Sequence, residues 1–534
     1  MFRVRQIKVD ALCNTNENIK RSISKKLKIK EDDIINFYIK RQSLDARDKN
    51  KIFYVYEVDV EIKNVKKINL LINNKDITLV TLEEYNFVKK GNKILKNKPV
   101  IVGSGPAGLF CAYILSEEGY NPIIIERGEK IEDRIKSVDE FWKTGELNHG
   151  SNVQFGEGGA GTFSDGKLNT LVSDKNFRMK KVFEIFVDCG APKEILYSYK
   201  PHIGTDILRT VIKNMREKIK SIGGQFLYNS CLTNIDVVNN KLKGIEINHK
   251  YFMNCDVLVL AIGHSARDTF KMLFDSNINM VAKPFAVGVR VQHSQDMINH
   301  SQYGDKYKDI LPPANYKLAY KSKSGRGVYS FCMCPGGYVV NASSEAERLV
   351  INGMSNHDRN SVNANSAIVV TVNTDDFGTH PLDGVEFQRR LEEDAYKLGS
   401  GKIPIQLLKD FKENRITTKL GNVNAIFKGE YTFGNLNQIL LPDISSSIKD
   451  AMEYFGDKIK GFDNDDTILA AIESRTSSPV RIIRDDSGQA NILGVYPCGE
   501  GAGYAGGITS ASMDGIKIAE KIGSKYKPEF LKEK

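Results

Sequence analysis

The run Val100-Ile101-Val102-Gly103-Ser104-Gly105-Pro106-Ala107-Gly108-Leu109 sets three glycines at G-x-G-x-x-G spacing behind an apolar strand. That pattern suits a bound pyrophosphate. Gly103 makes the tight turn, Gly105 lets backbone approach the phosphates, and Gly108 lets the next helix lie close on the strand. Pro106 and Ala107 lead into that helix, read over 110–118 and ended by Gly119. Its free N–H groups and partial positive charge favour a diphosphate. A second strand, Pro122–Ile125, ends in Glu126 and Arg127, near the roughly 20-residue offset of a ribose-binding acid. A lone glycine motif is weak. Strand, glycines, helix, strand and acid in this order identify a dinucleotide site.

The far end of the chain says which dinucleotide. Leu493–Glu500 reads as another strand ending in an acid, running through Gly501–Gly507 into a helix over 508–522. Gly499 and Glu500 fit beside a ribityl chain. Gly507, Ile508 and Thr509 start a helix suited to a flavin N1–C2=O edge, where negative charge gathers on reduction. The strand Asp256–Gly263 brings Ala261 and Gly263 to the same end of the sheet. An NAD-only domain has no need of this return, so the cofactor is read as FAD. No second strand, G-x-G-x-x-G and helix unit of a separate nucleotide domain is read, and no Cys-x-x-x-x-Cys pair occurs. NAD(P)H is therefore expected only as a transient reductant, without a dedicated Rossmann domain.

Phe155–Leu168 adds Gly158, Gly159, Ala160, Gly161 and Thr162, with Lys167 behind them. So many glycines are costly unless something approaches closely, which favours cofactor contact over a merely structural loop. Lys167 can stabilise a reduced flavin anion. Cys332 and Cys334, two apart on a strand, are expected to share one face. They are candidates for a nucleophile or redox partner, although a buried strand before the Pro335-Gly336-Gly337 turn is the plainer reading. His264 is a candidate acid or base, against a structural histidine. Arg475 and Arg481 suit an anionic substrate or the pyrophosphate, against pairing with Asp485 and Asp486. No four-ligand metal set occurs at usable spacing.

These groups need a scaffold of several domains, because 534 residues exceed one hydrophobic core. The expected fold class is α/β: a Rossmann-like FAD domain, an inserted α+β domain and an N-terminal ferredoxin-like α+β domain. The boundaries are read as 1–90, 99–280, 281–464 and 465–534, the first and last parts of the FAD domain flanking the insert. Residues 1–80 read as strand, helix, strand, strand, helix, strand, with Ile19, Ile23 and Leu27 as one helical stripe. The second helix is expected over 64–72, and Ile351–Ser366 as a long loop. A composition 41% hydrophobic and 27% charged excludes a mainly disordered chain. Apolar runs such as Val257–Ile262 are far short of the roughly 20 residues of a membrane span. No apolar signal segment follows Met1, and eight cysteines lack framework spacing; a cytoplasmic location is expected. Residues 1–98 hold 23 Lys+Arg and 13 Asp+Glu, while the rest is balanced at 53 of each. The whole net charge of +10 thus sits in the first fifth. A nucleic-acid partner would meet residues 1–90, but a solvated lysine-rich face is the favoured reading.

With these residues in place, the chain resembles the uncharacterised FAD-dependent dehydrogenases of the glutathione-reductase-type flavoprotein superfamily. The likeness runs through Ser43–Arg47, Ser151–Leu168, Pro201–Asp206, Ala261–Asp268, Lys283–Arg290, Ser330–Gly337, Glu473–Ile482 and the glycines around Glu500. The resemblance implies bound FAD, a cytosolic setting and oxidoreductase chemistry, and names no substrate. The reaction is expected to pass hydride between a small organic substrate and flavin N5. A tRNA-modifying flavoprotein, a geranylgeranyl-reductase-like enzyme and a non-catalytic FAD-binding protein stand as alternatives.

Overall fold

The computed structural model describes residues 1–63, 75–81 and 84–528. At its centre is a five-stranded parallel sheet, ordered Val495–Pro497, Leu258–Leu260, Val100–Val102, Ile123–Ile125, Gln225–Leu227. The inner strands are wholly apolar, as a sheet covered on both faces requires. Helix Pro106–Glu117 is buried from Ala107 to Ser116, between this sheet and helix Ile508–Lys525. Two glycines permit that contact. A Cβ on Gly108 would lie 1.9 Å from the Gly103 carbonyl oxygen, and one on Gly515 would lie 2.2 Å from that of Ala107.

A seven-stranded sheet forms the second body, in the order 319–321, 327–334, 363–372, 285–294, 468–473, 403–407, 431–433. Most neighbours are antiparallel; the last pair is parallel. Ile468–Glu473, read from sequence as part of the returning FAD segment, pairs here with Phe285–Ser294 and Ile403–Leu407. The stretch expected to be a loop over 351–366 instead contains strand Ile351–Ser355 and the start of strand Asn363–Val372. Its asparagines mislead because they serve a buried charge: the half-buried Asn352 and the buried Asn365 both take hydrogen bonds from the fully buried Arg290.

The N-terminal sheet is antiparallel, ordered Ile34–Asp45, Phe53–Ile62, Phe2–Asp10, Ile77–Leu79, the order of a split βαβ unit. Helix Asn16–Leu27 buries Ile19, Ile23 and Leu27 against it. The second helix expected over 64–72 lies outside the described residues. This sheet is tied to the rest at two points. Gln42 N donates to Tyr197 O at 2.7 Å, and Tyr199 N donates to Gln42 O at 2.8 Å. Leu44, Ala46 and Tyr54 pack against the core of the seven-stranded sheet, which also contains Ile52. No helix of the described residues is long and apolar enough to cross a membrane.

Candidate active site

A cavity of about 1000 Å³ opens where the parallel sheet, the seven-stranded sheet and the N-terminal strands meet. This is the upper end of the range for small-molecule sites. Gly103, Gly105, Pro106 and Ala107 line it, with Glu126 and Arg127 from the next strand. So do Gly159, Ala160, Gly161 and Lys167, then Ala261, Gly263 and His264. Glu500, Gly507 and Ile508 close it from the C-terminal segment, and Cys332 and Cys334 from the insert. Residues from distant parts of the sequence thus share one wall.

Five residues read as cofactor contacts lie behind that wall. Gly108 and Gly158 provide tight backbone packing; a Cβ on Gly158 would meet Thr162 Oγ1 at 2.1 Å. Thr162 is buried, and its carbonyl accepts from Thr205. Gly499 N donates to Asp514 at 2.8 Å, and Thr509 Oγ1 to Leu168 O at 2.7 Å.

Two helices begin at the cavity without a side-chain cap, with Gly105 and Gly507 at their N-cap positions. Their first N–H groups are left for something other than a protein side chain. Around them the wall is bare. A Cβ added to Gly263, Gly506 or Gly507 would meet no atom within 4 Å.

Glu126 is a heavily engaged acid. Its carboxylate accepts from Ser104 N, Ser104 Oγ, Gly128 N and Gly156 N at 2.8–3.0 Å. It therefore joins the first glycine turn to the loop at 156. Opposite, His264 Nδ1 lies 3.6 Å from Glu500 Oε1, while His264 Nε2 is buried without a partner. A buried ring nitrogen with no protein partner is costly unless solvent or a ligand supplies one.

Lys167 belongs to a charge cluster that sequence reading found only in part. Asp165 is 2% exposed and accepts from Lys167 at 2.8 Å and from Arg359 at 2.6 and 3.0 Å, with Ser355 closing the set. Burial pushes the Asp165 carboxyl upward, but Lys167 and Arg359 outweigh it and hold the group below its usual range. Burial lowers the Lys167 pKa, Asp165 more than offsets this, and the ammonium stays charged. Two cations on one carboxylate leave a net positive charge in the wall.

The cysteines do not share a face through regular alternation. The strand shifts register between Phe331 and Cys334, and Cys332 has φ +43°. This bulge turns Cys332 toward open cavity and leaves Cys334 buried, its Sγ 4.0 Å from Lys167 Nζ. Cys332 is reachable from the cavity, yet deep among protein atoms. That desolvation pushes its thiol up to about 12, against the pull of Lys167 and Arg290. Burial likewise raises Cys334. Carboxymethylation of Cys332, read by mass spectrometry, is therefore expected to be slow at about pH 7.5 and still climbing at about pH 10. A plateau between these values would reveal a thiolate and reverse this assignment.

The arginines also differ from expectation. Arg475 lines the cavity but pairs with Glu392, at 2.7 and 2.9 Å, and donates to Ser265 and Ser344. Arg481 donates to Gly503 O and stacks on Tyr504. Asp485 accepts from Ser487 and Gln489 within its own turn. A buried position favoured the stronger partner, because an unpaired guanidinium there is costly. Sequence reading missed Arg134, which carries the loop beneath the cavity. A signal existed: Arg134 falls on the buried stripe of helix Ile131–Thr144, with Ile131, Val138, Phe141 and Trp142. An arginine on an apolar helical face has to be held by buried acceptors.

Comparison with known proteins agrees with this architecture. Residues 284–476 match the model described as FAD-dependent protein, C-terminal domain-like, and residues 101–159 an NAD(P)-binding Rossmann-like domain. Residues 1–61 match a domain of unknown function. The protein is thus FAD-dependent, built on a Rossmann-like nucleotide-binding fold. An uncharacterized protein of Clostridium beijerinckii is 49% identical over 95% of this chain and 96% of its own length, and the chain belongs to its family. Among solved structures, glycine oxidase from Bacillus cereus covers 80% of this chain and 94% of its own, at 11% identity and TM-score 0.34. L-Proline dehydrogenase from P. horikoshii covers 82% and 94%, at 14% identity and TM-score 0.33. Such loose likenesses do not bear on reaction or substrate.

Proposed function

We propose that the cavity holds FAD and that the protein is a flavin-dependent oxidoreductase, a dehydrogenase of an organic substrate. The supporting observation is the convergence of two uncapped helix N-termini on one cavity whose glycines at 263, 506 and 507 face open space. Gly103, Gly105 and the N–H groups after Pro106 would take the diphosphate. Glu126 and Arg127 would lie toward the adenosine end, and Glu500 toward the ribityl chain. When bound, FAD supplies hydride acceptance from, or donation to, the substrate. Lys167 and Arg359 set positive charge where the reaction gathers negative charge, and His264 Nε2 offers an unused hydrogen-bonding atom.

Gly507 gives a clean test, because its φ of 175° is extended backbone that valine also adopts. Gly507→Val should fold, by circular dichroism, yet bind FAD about tenfold or more weakly through lost space alone. Released cofactor is identified by absorbance and chromatography. A wild-type protein that takes up no FAD, or a valine variant with unchanged affinity, would count against this site.

A further inference from the structure

The outer half of the cavity is built from parts that the flavin reading does not use. Lys40 and Arg41, on strand Ile34–Asp45 of the N-terminal sheet, line it together with Lys200 and Lys317. All four are exposed at the rim. Some cations of the same domain have acidic partners, such as Lys26 with Asp76 at 2.7 Å and Arg21 with Glu31 at 3.6 Å, while others on the outer face of the first helix stand in solvent. Among the described residues, Arg41, Lys200 and Lys317 have no carboxylate within ion-pair distance, and Lys40 only Asp59 at 3.8 Å. Arg41 instead lies over the Tyr199 ring, 4.6 Å from its centroid, which fixes the guanidinium at the opening. Although its side chain reaches solvent, the protein atoms around the Lys200 ammonium, and then Arg359, depress its pKa.

Apolar surface lies beside these charges. Leu171 is 97% exposed and Leu196 is 44% exposed, and both line the cavity with Met179, Phe183 and Ile195. Leucines left this open beside unpaired cations match an occupant with an apolar body and an anionic end. The N-terminal strand cannot easily move away. Its two backbone bonds to Tyr197 and Tyr199, and the packing of Leu44, Ala46 and Tyr54, hold Lys40 and Arg41 at the mouth.

We infer that the substrate is a small organic anion with an apolar body, and that the N-terminal domain supplies part of its binding site. This rests on the flavin reading for the word substrate; the binding site itself does not depend on it. A macromolecular polyanion is disfavoured, because the unpaired cations surround a cavity mouth lined with leucine rather than a flat face.

The test uses the full-length protein as purified, with its FAD content measured first. Octanoate, octyl phosphate and octanol are titrated by calorimetry at low and moderate salt. Octanoate or octyl phosphate should bind roughly tenfold or more tightly than octanol, and more weakly as salt rises; the two anions separate carboxylate from phosphate preference. The combined variant Arg41→Gln, Lys200→Gln, Lys317→Gln should lose roughly tenfold in anion affinity and most of the salt dependence, with octanol binding and FAD content unchanged. Lys25→Gln, which removes one charge from the exposed face of helix Asn16–Leu27, should match wild type. Equal binding of octanol and octanoate, or an equal loss in the Lys25 variant, would overturn the inference. So would FAD-replete protein that binds neither anion. Anion binding by protein that takes up no FAD would instead overturn the flavin reading and leave the rim assignment standing.

Discussion

Arg134→Ala is expected to yield a protein that loses FAD on gel filtration and is less stable by roughly 4–5 kcal/mol, the upper range for one substitution. The guanidinium is fully buried and, among the described residues, has no carboxylate within ion-pair distance. It donates to five carbonyls: Asn152, Val153, Gly156, Glu157 and Gly159, at 2.6–3.2 Å. Burial, opposed by the pull of Glu126 and Glu157, lowers its pKa to about 10, so it remains charged at neutral pH. Removing it orphans five acceptors, each worth roughly 1–3 kcal/mol if left unsatisfied, although entering water and relaxation limit the sum. The loop it holds is the one that brings Gly156, Gly159 and Ala160 to the cavity. Its neighbour is matched to it: a Cβ on Gly156 would lie 2.4 Å from Arg134 Cδ. Arg134→Lys should fall between, since one ammonium cannot span five acceptors. FAD-to-protein ratio and unfolding midpoint are the measurements. An alanine variant that keeps both would show that the loop stands by itself.

Glu392→Gln is expected to destabilise the protein by roughly 3–5 kcal/mol, the range for breaking a buried ion pair. Glu392 is fully buried on helix Asp383–Gly399 and accepts from Arg267, Arg475 and Ser474 at 2.7–2.9 Å. Arg267 follows the parallel sheet and Arg475 the seven-stranded one, so this carboxylate joins the two bodies beside the cavity. Glutamine keeps the shape but leaves two buried guanidiniums with Glu345 as their remaining carboxylate. Glu393, one residue on, pairs with Arg348 near solvent, and Glu393→Gln should cost at most about 1 kcal/mol. Burial pushes the Glu392 carboxyl upward, but the two arginines dominate and hold it well below its ordinary 4.5. The stability it contributes is therefore complete above about pH 4.5 and lost as pH falls toward the depressed value. Urea unfolding from about pH 7 to about pH 3 should show a shallower acid decline in the glutamine variant. Equal slopes would remove Glu392 from this role.

The sequence carried every feature whose cause is local. The glycine spacing after Val100–Val102, the acid ending the second strand and the stripe Ile19, Ile23, Leu27 each follow from backbone sterics or periodicity over a few residues. So does the glycine-rich return before Ile508, because a helix starting there needs only its neighbours. Where the pattern misled, polar residues had been placed inside. The asparagines of 351–366 read as a loop until Arg290 is seen to need them. Likewise, Cys332 and Cys334 both reach the cavity, but through a bulge rather than regular alternation, which leaves one open and the other buried.

Tertiary structure alone decided which charges meet. Asp165 finds Arg359 across 194 positions, Arg475 finds Glu392 rather than nearby acids, and Gln42 brings Arg41 to the cavity mouth through Tyr197 and Tyr199. Desolvation is the reason. A buried charge takes whichever partner the packing of separate elements presents, and no short-range pattern along the chain encodes that choice.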